Sequence, residues 1–62
     1  MQFHIENMTC GGCVRGVTAT IRSIDPDAAV SGNPETRLVE VTTLAPRERL
    51  VEALIEAGFP PV

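Results

Sequence analysis

The segment MTCGGC, residues 8–13, contains both cysteines of this 62-residue chain and joins a predicted strand to a predicted helix. Apolar residues at helical spacing begin directly after it, at Val14. If the helix starts near Gly11, the sulfurs of Cys10 and Cys13 lie at its positive end, where free backbone N–H groups favour a thiolate. The segment therefore predicts a dithiol that binds a metal ion or exchanges with another thiol near neutral pH.

The number and type of donor atoms limit the choice of metal. A closed zinc site takes four Cys or His ligands, whereas this chain offers Cys10, Cys13 and the single His4. Two soft thiolates with few other donors favour a soft ion of low coordination number, which among cellular metals indicates Cu(I). Zn(II) or Hg(II) on the same two sulfurs remains an alternative, and so does a dithiol redox protein.

Two other side chains near the cysteines carry donor atoms. His4 alternates with apolar residues in the first predicted strand, so it falls on the wetter face of the sheet. Met8 lies at the base of the loop, where a flexible thioether commonly fills a gap in the core. We expect His4 to be an ordinary half-exposed side chain and Met8 to pack in the core, which leaves Cys10 and Cys13 as the predicted ligands.

Composition excludes several classes of function. A length of 62 residues predicts one domain, residues 1–62, and a hydrophobic content of 44% predicts a folded one. The net charge is −3 and all basic residues are Arg, which disfavours nucleic acid as a partner. No apolar run approaches the roughly 20 residues of a membrane span, and no signal peptide is visible, so we expect a cytoplasmic protein without membrane insertion. No nucleophile with a base and an orienting group is present, so we expect no enzyme.

Periodicity and turn residues predict an α+β fold. The predicted order is strand 2–7, helix 12–23, a hairpin of strands 28–31 and 37–43, helix 46–57 and a short last strand 59–62. Two helices on one face of a four-stranded antiparallel sheet, a ferredoxin-like βαββαβ sandwich, is the economical packing for this order.

Each predicted helix carries one apolar stripe and has terminal signals. Thr9 is a candidate cap for the first helix, and Asp25 followed by Pro26 is a plausible stop. Pro46 lies in the first turn of the second predicted helix and Gly58 lies just past its end, which are the positions that proline and glycine prefer. The residues expected to face the core are Val14, Val17, Ile21 and Ile24 on the first helix, and Leu50, Val51, Leu54, Ile55 and Phe59 on or just after the second.

The sequence resembles the heavy-metal-associated domain family, which comprises small copper chaperones and the N-terminal metal-binding domains of copper-transporting P-type ATPases. The resemblance rests on the segment 8–13 after a first strand and on residues 56–59, Glu-Ala-Gly-Phe, at the end of the second helix. It covers essentially the whole chain. Where Phe59 stands, bacterial chaperones of the family often have Tyr and eukaryotic ones Lys.

The resemblance implies a soluble metallochaperone. It implies that one Cu(I) is held between Cys10 and Cys13 and is passed by ligand exchange to a transient partner, such as a copper-transporting P-type ATPase or its metal-binding domain. Zinc-handling members often carry an acidic residue before the first cysteine, and Thr9 in that place favours Cu(I). A homodimer bridged by a shared metal ion remains open.

Overall fold

A computed structural model describes all residues, 1–62. It contains a three-stranded sheet and two helices, joined by loops. The central strand β3 pairs antiparallel with β1 on one side and β2 on the other, which gives the sheet order β1–β3–β2. The predicted α+β, ferredoxin-like arrangement with two helices is confirmed. No helix is both long and apolar enough to cross a membrane. The elements are β1 (Gln2–His4), α1 (Gly11–Ile24), β2 (Ala29–Asn33), β3 (Leu38–Thr42) and α2 (Arg47–Glu56).

The predicted fourth strand, residues 59–62, is not formed, so the prediction of a four-stranded sheet was wrong. Pro60 and Pro61 have no backbone N–H and cannot donate to a strand ladder. A single backbone hydrogen bond joins this segment to β1, from Val62 N to the His4 carbonyl at 2.8 Å. The segment therefore runs beside β1 without becoming part of the sheet.

The core lies between one face of the sheet and the two helices. Alternate residues of β1 and β3 are buried, which places both helices over the same face. The buried residues are Phe3, Ile5, Met8, Val17, Ile21, Ala28, Val39, Val41, Leu50 and Leu54.

The predicted core stripes are confirmed in part. Val14 and Ile24 of α1 are half-buried at the margin of the cluster. Ile55 was expected in the core, but its side chain is 54% exposed. Successive helix residues are about 100° apart, and the fully buried stripe of α2 contains only Leu50 and Leu54. Ile55 lies beyond the edge of that stripe, because a domain this small covers only a narrow face of each helix.

The loops that surround the cysteines lie at one end of the sheet. β1 ends there, β3 begins there, and the hairpin turn between β2 and β3 lies beside them. Arg37 closes this turn with a left-handed backbone, φ 62°. Its carbonyl accepts a hydrogen bond from Ile5 N at 2.9 Å, so the pairing of β1 continues one residue past His4. The chain then turns, with Met8 N bonded to the Ile5 carbonyl at 3.1 Å, and enters the cysteine segment.

Candidate metal site

The two cysteines flank the start of α1. Cys10 is the N-cap residue, with extended backbone angles of φ −150° and ψ 169°, and Cys13 lies in the first turn. The Cys10 carbonyl accepts the first helical bond, from Val14 N at 3.1 Å. The prediction that Thr9 caps the helix was wrong, since no side chain caps it and Thr9 lies one residue before the N-cap. The predicted placement of both sulfurs at the positive end of a helix is confirmed.

The sulfurs are close together and are not joined by a disulfide. Cys10 Sγ and Cys13 Sγ are 3.1 Å apart, which is a hydrogen-bond distance and is longer than the roughly 2.05 Å of a disulfide. Two thiolates on one metal ion at about 2.3 Å each would be roughly 3.8 Å apart in tetrahedral geometry and 4.6 Å apart in linear geometry. A metal ion could therefore enter between the sulfurs only if they moved apart. Cys10 is exposed and precedes the helix, so it can move more readily than Cys13, which is half-buried within it.

The local electrostatics favour a thiolate at Cys13. The hydrogen bond from the Cys10 thiol is the largest cause that lowers the pKa of Cys13, followed by backbone N–H donation from Thr9. No acidic side chain lies in the first turn of α1 to oppose this effect. The site therefore favours the thiolate form of Cys13, which is the form that soft-metal binding and thiol exchange both need.

The other two candidate donors lie apart from the sulfurs. Met8 is completely buried in the core, as predicted, and a Cβ atom at Gly32 would lie 3.4 Å from its Sδ. His4 is exposed on β1 and alternates with the buried Phe3, so it faces away from the helical layer. No group of three or more His, Cys, Asp or Glu side chains is arranged to hold a metal ion. The candidate site therefore consists of two thiols.

A contact that the sequence analysis missed supports the segment before Cys10. Asn7 Nδ2 donates a hydrogen bond to the Gly58 carbonyl at 3.1 Å, across a separation of 51 residues. Gly58 was predicted as the residue that ends α2, and its φ of 89° agrees with that role. The sequence carries no signal that pairs it with Asn7, because only the folded topology brings the two loops to the same end of the sheet.

Comparison with known proteins identifies the family. The sequence model of the heavy-metal-associated domain family matches residues 2–60 of this chain. The chain belongs to this family. A solved structure described as a gold-binding protein is 52% identical to this heavy-metal-associated domain, with a TM-score of 0.95, and the alignment covers 98% of this chain and 94% of that one. Protein Atu1203 of Agrobacterium tumefaciens is 34% identical with a TM-score of 0.87, over 100% of this chain and 97% of that one.

A third structure shows how widely the fold is shared. The copper chaperone Atx1 from Synechocystis has a TM-score of 0.94 at 24% identity, over 100% of this chain and 98% of that one, and this likeness concerns the fold alone. A comparison with curated protein sequences gives no match. Residues 2–60 include all five helices and strands, so the family assignment extends over the whole architecture that positions the two thiols.

Proposed function

We propose that this heavy-metal-associated domain is a metallochaperone that holds one Cu(I) ion between Cys10 and Cys13. The observation that carries the proposal is the pair of free thiols, 3.1 Å apart at an exposed helix start with no His, Asp or Glu grouped around them as a third donor. A two-thiolate site satisfies a soft ion that accepts low coordination and leaves Zn(II) short of the four ligands it prefers. We therefore place Cu(I) ahead of Zn(II) as the cargo.

Delivery follows from exposure of the same site. A thiolate of a partner can approach the ion from the Cys10 side, where Gly11 and Gly12 add no side-chain bulk. The bond from the metal ion to the partner's sulfur forms before a bond to this protein's sulfur breaks. The ion therefore passes from one protein to the other without being released into solution and without any change of oxidation state. We propose a transient partner that itself presents thiols, such as a copper-transporting P-type ATPase or its metal-binding domain. In this role the protein is a carrier and not an enzyme, and it acts in a reducing compartment such as the cytoplasm, where the thiols stay free.

A second cargo, Au(I), is favoured by the similarity at 52% identity to a structure described as a gold-binding protein. Au(I) is, like Cu(I), a soft monovalent ion that two thiolates satisfy. Hg(II) is soft as well and could occupy the same pair of sulfurs. The donor set of Cys10 and Cys13 does not by itself separate these ions, so the cargo has to be measured.

The test is an anaerobic titration of the reduced protein with Cu(I) in the presence of a competing Cu(I) chelator. Parallel titrations use Au(I), Hg(II) and Zn(II). We expect one Cu(I) per chain, bound more tightly than Zn(II), and loss of tight binding in Cys10→Ser and in Cys13→Ser. Retention of high affinity by either variant would overturn the two-thiolate site.

The matched control is His4→Ala, which removes the only histidine and leaves both sulfurs in place. Binding should be unchanged in this variant, because His4 faces away from the helical layer. Loss of binding in His4→Ala would make it a ligand and would contradict the proposal. Tighter binding of Au(I) than of Cu(I) in the same series would assign the second cargo.

The dithiol redox alternative predicts a different measurement. A catalytic oxidoreductase has a reduction potential within the range of known redox enzymes and accelerates thiol–disulfide exchange in a substrate protein. A carrier should show neither catalysis of exchange nor turnover. Rapid catalysis by the metal-free protein, abolished in Cys10→Ser, would favour the redox function over the carrier.

A further inference from the structure

The hydrogen bond from Asn7 to Gly58 joins the segment before Cys10 to the end of α2. The acceptor is itself firmly placed, because Gly58 N bonds to the Ile55 carbonyl at 3.1 Å. Phe59 N bonds to the Leu54 carbonyl at 2.8 Å, which completes the turn that ends the helix. Asn7 is exposed, but the carbonyl that it reaches is fixed by α2.

A second contact holds the same turn against α1. A Cβ atom at Gly16 would lie 3.3 Å from Cε2 of Phe59 and 3.4 Å from its Cζ, so the ring lies directly on the helix backbone there. Gly16 follows Cys13 by three residues and is therefore one helical turn further along. The turn at residues 57–59 thus touches both the segment that leads to Cys10 and the helix that carries Cys13.

These contacts confine the part of the cysteine segment that is free to move. On one side Asn7 is bonded to Gly58 and Met8 is completely buried. On the other side the helix starts at Gly11, closed by the bond from Val14 N to the Cys10 carbonyl. Between the two anchors lie the exposed residues 9–12.

We infer that Asn7 is a positioning residue for the metal site, because its hydrogen bond to Gly58 restricts the opening of the sulfur pair to residues 9–12. The inference rests on the function proposed above. Without the bond, the buried Met8 alone anchors the segment before Cys10. The segment then gains freedom that metal binding must remove, and this loss of entropy weakens binding. Asn7 does not contact the metal in this scheme and acts only through the backbone that presents Cys10.

The test compares Asn7→Ala with a matched variant, Asn33→Ala. Asn33 is the last residue of β2, directly before the hairpin turn at the same end of the sheet, and its Oδ1 accepts a bond from Glu35 N at 2.9 Å. Each variant therefore removes one exposed amide side chain and one hydrogen bond to the backbone. We expect Asn7→Ala to lower the affinity for Cu(I) by about fivefold, the factor that corresponds to the entropy of ordering roughly one backbone residue, and Asn33→Ala to leave the affinity unchanged.

The second readout uses the metal-free proteins. Amide ¹⁵N relaxation of residues 9–12 should show greater motion in Asn7→Ala than in the wild type, whereas Asn33→Ala should affect only its own hairpin turn. A general loss of stability would not produce this local difference.

The outcomes separate the two proposals. Wild-type affinity and wild-type relaxation at residues 9–12 in Asn7→Ala would overturn the positioning role alone. An equal loss of affinity in Asn33→Ala would also overturn it, because the effect would then be one of stability. A wild-type protein that binds none of the tested ions would overturn the proposed function and the positioning role with it.

Discussion

Replacement of Met8 by Ala tests whether the residue beside the cysteines belongs to the core or to the metal site. Met8 is completely buried, and its Sδ lies over Gly32 of β2. Truncation of a buried Met to Ala costs about 2–5 kcal/mol, because a cavity replaces the contacts of the side chain. A chain of 62 residues has a free energy of unfolding of roughly 3–9 kcal/mol. The substitution should therefore remove a large part of the stability.

The assay is thermal and urea unfolding of the reduced, metal-free protein. A loss of about 3 kcal/mol should lower Tm by roughly 20 °C in a domain of this size. The matched variant is Met8→Leu, which keeps most of the volume but has no sulfur. It should cost less than about 1.5 kcal/mol and should bind Cu(I) as the wild type does. Metal affinity is compared at a temperature at which both variants are folded.

Two results would refute this reasoning. If Met8→Ala unfolded at the wild-type temperature, the side chain would not be part of the core. If Met8→Leu were stable but had lost its affinity for Cu(I), the thioether would be a ligand, and the site would contain three sulfurs instead of two.

Three further predictions follow from individual contacts. Gly32→Ala should destabilise the protein by about 1 kcal/mol in urea unfolding, because the new Cβ would lie 3.1 Å from Val14 Cγ1; equal or greater stability would contradict this packing. Arg37→Gly should raise the free energy of unfolding by about 0.5 kcal/mol, since relief of the left-handed backbone outweighs the added entropy of glycine; a decrease in the same assay would speak against strain. Hydrogen bonds, first from the Thr43 hydroxyl and then from the backbone, lower the pKa of Asp25. The resulting stability is present at neutral pH and is lost as the pH falls through that lowered pKa. Acid unfolding followed by circular dichroism should therefore begin at a higher pH in Thr43→Val, and an unchanged midpoint would exclude this linkage.

Local features of the sequence predicted most of the fold. The apolar spacing in α1 located Val17 and Ile21 in the core, and Pro26 and Gly58 marked helix ends that the structure places within one or two residues. The spacing of Cys10 and Cys13 from Val14 placed both sulfurs at the helix start. These features depend on neighbours a few residues apart, which is the range over which periodicity and capping act.

Some errors are local, namely the cap predicted at Thr9 and the strand predicted over Pro60 and Pro61, whereas others concern features that depend on distant parts of the chain. The last strand was expected on the basis of element order, but a ladder needs N–H donors that Pro60 and Pro61 lack. Ile55 has the spacing of a core residue, and only the width of the covered helix face leaves it exposed. The contact between Asn7 and Gly58 joins residues 51 positions apart, so no local pattern could have indicated it.

The proposed function requires a protein that holds its cargo firmly and still releases it, and the two cysteines differ in the way that this proposal requires. Cys13 lies within α1, and the helix is held by Val17 and Ile21 in the core. Cys10 lies outside the helix, exposed, in a segment whose nearest fixed point is the buried Met8. A partner that competes for the metal would therefore displace the Cys10 sulfur first, while Cys13 would keep the ion in place. The stability of the core and the ease of transfer are then set by different residues, so a substitution such as Met8→Leu can alter one without altering the other.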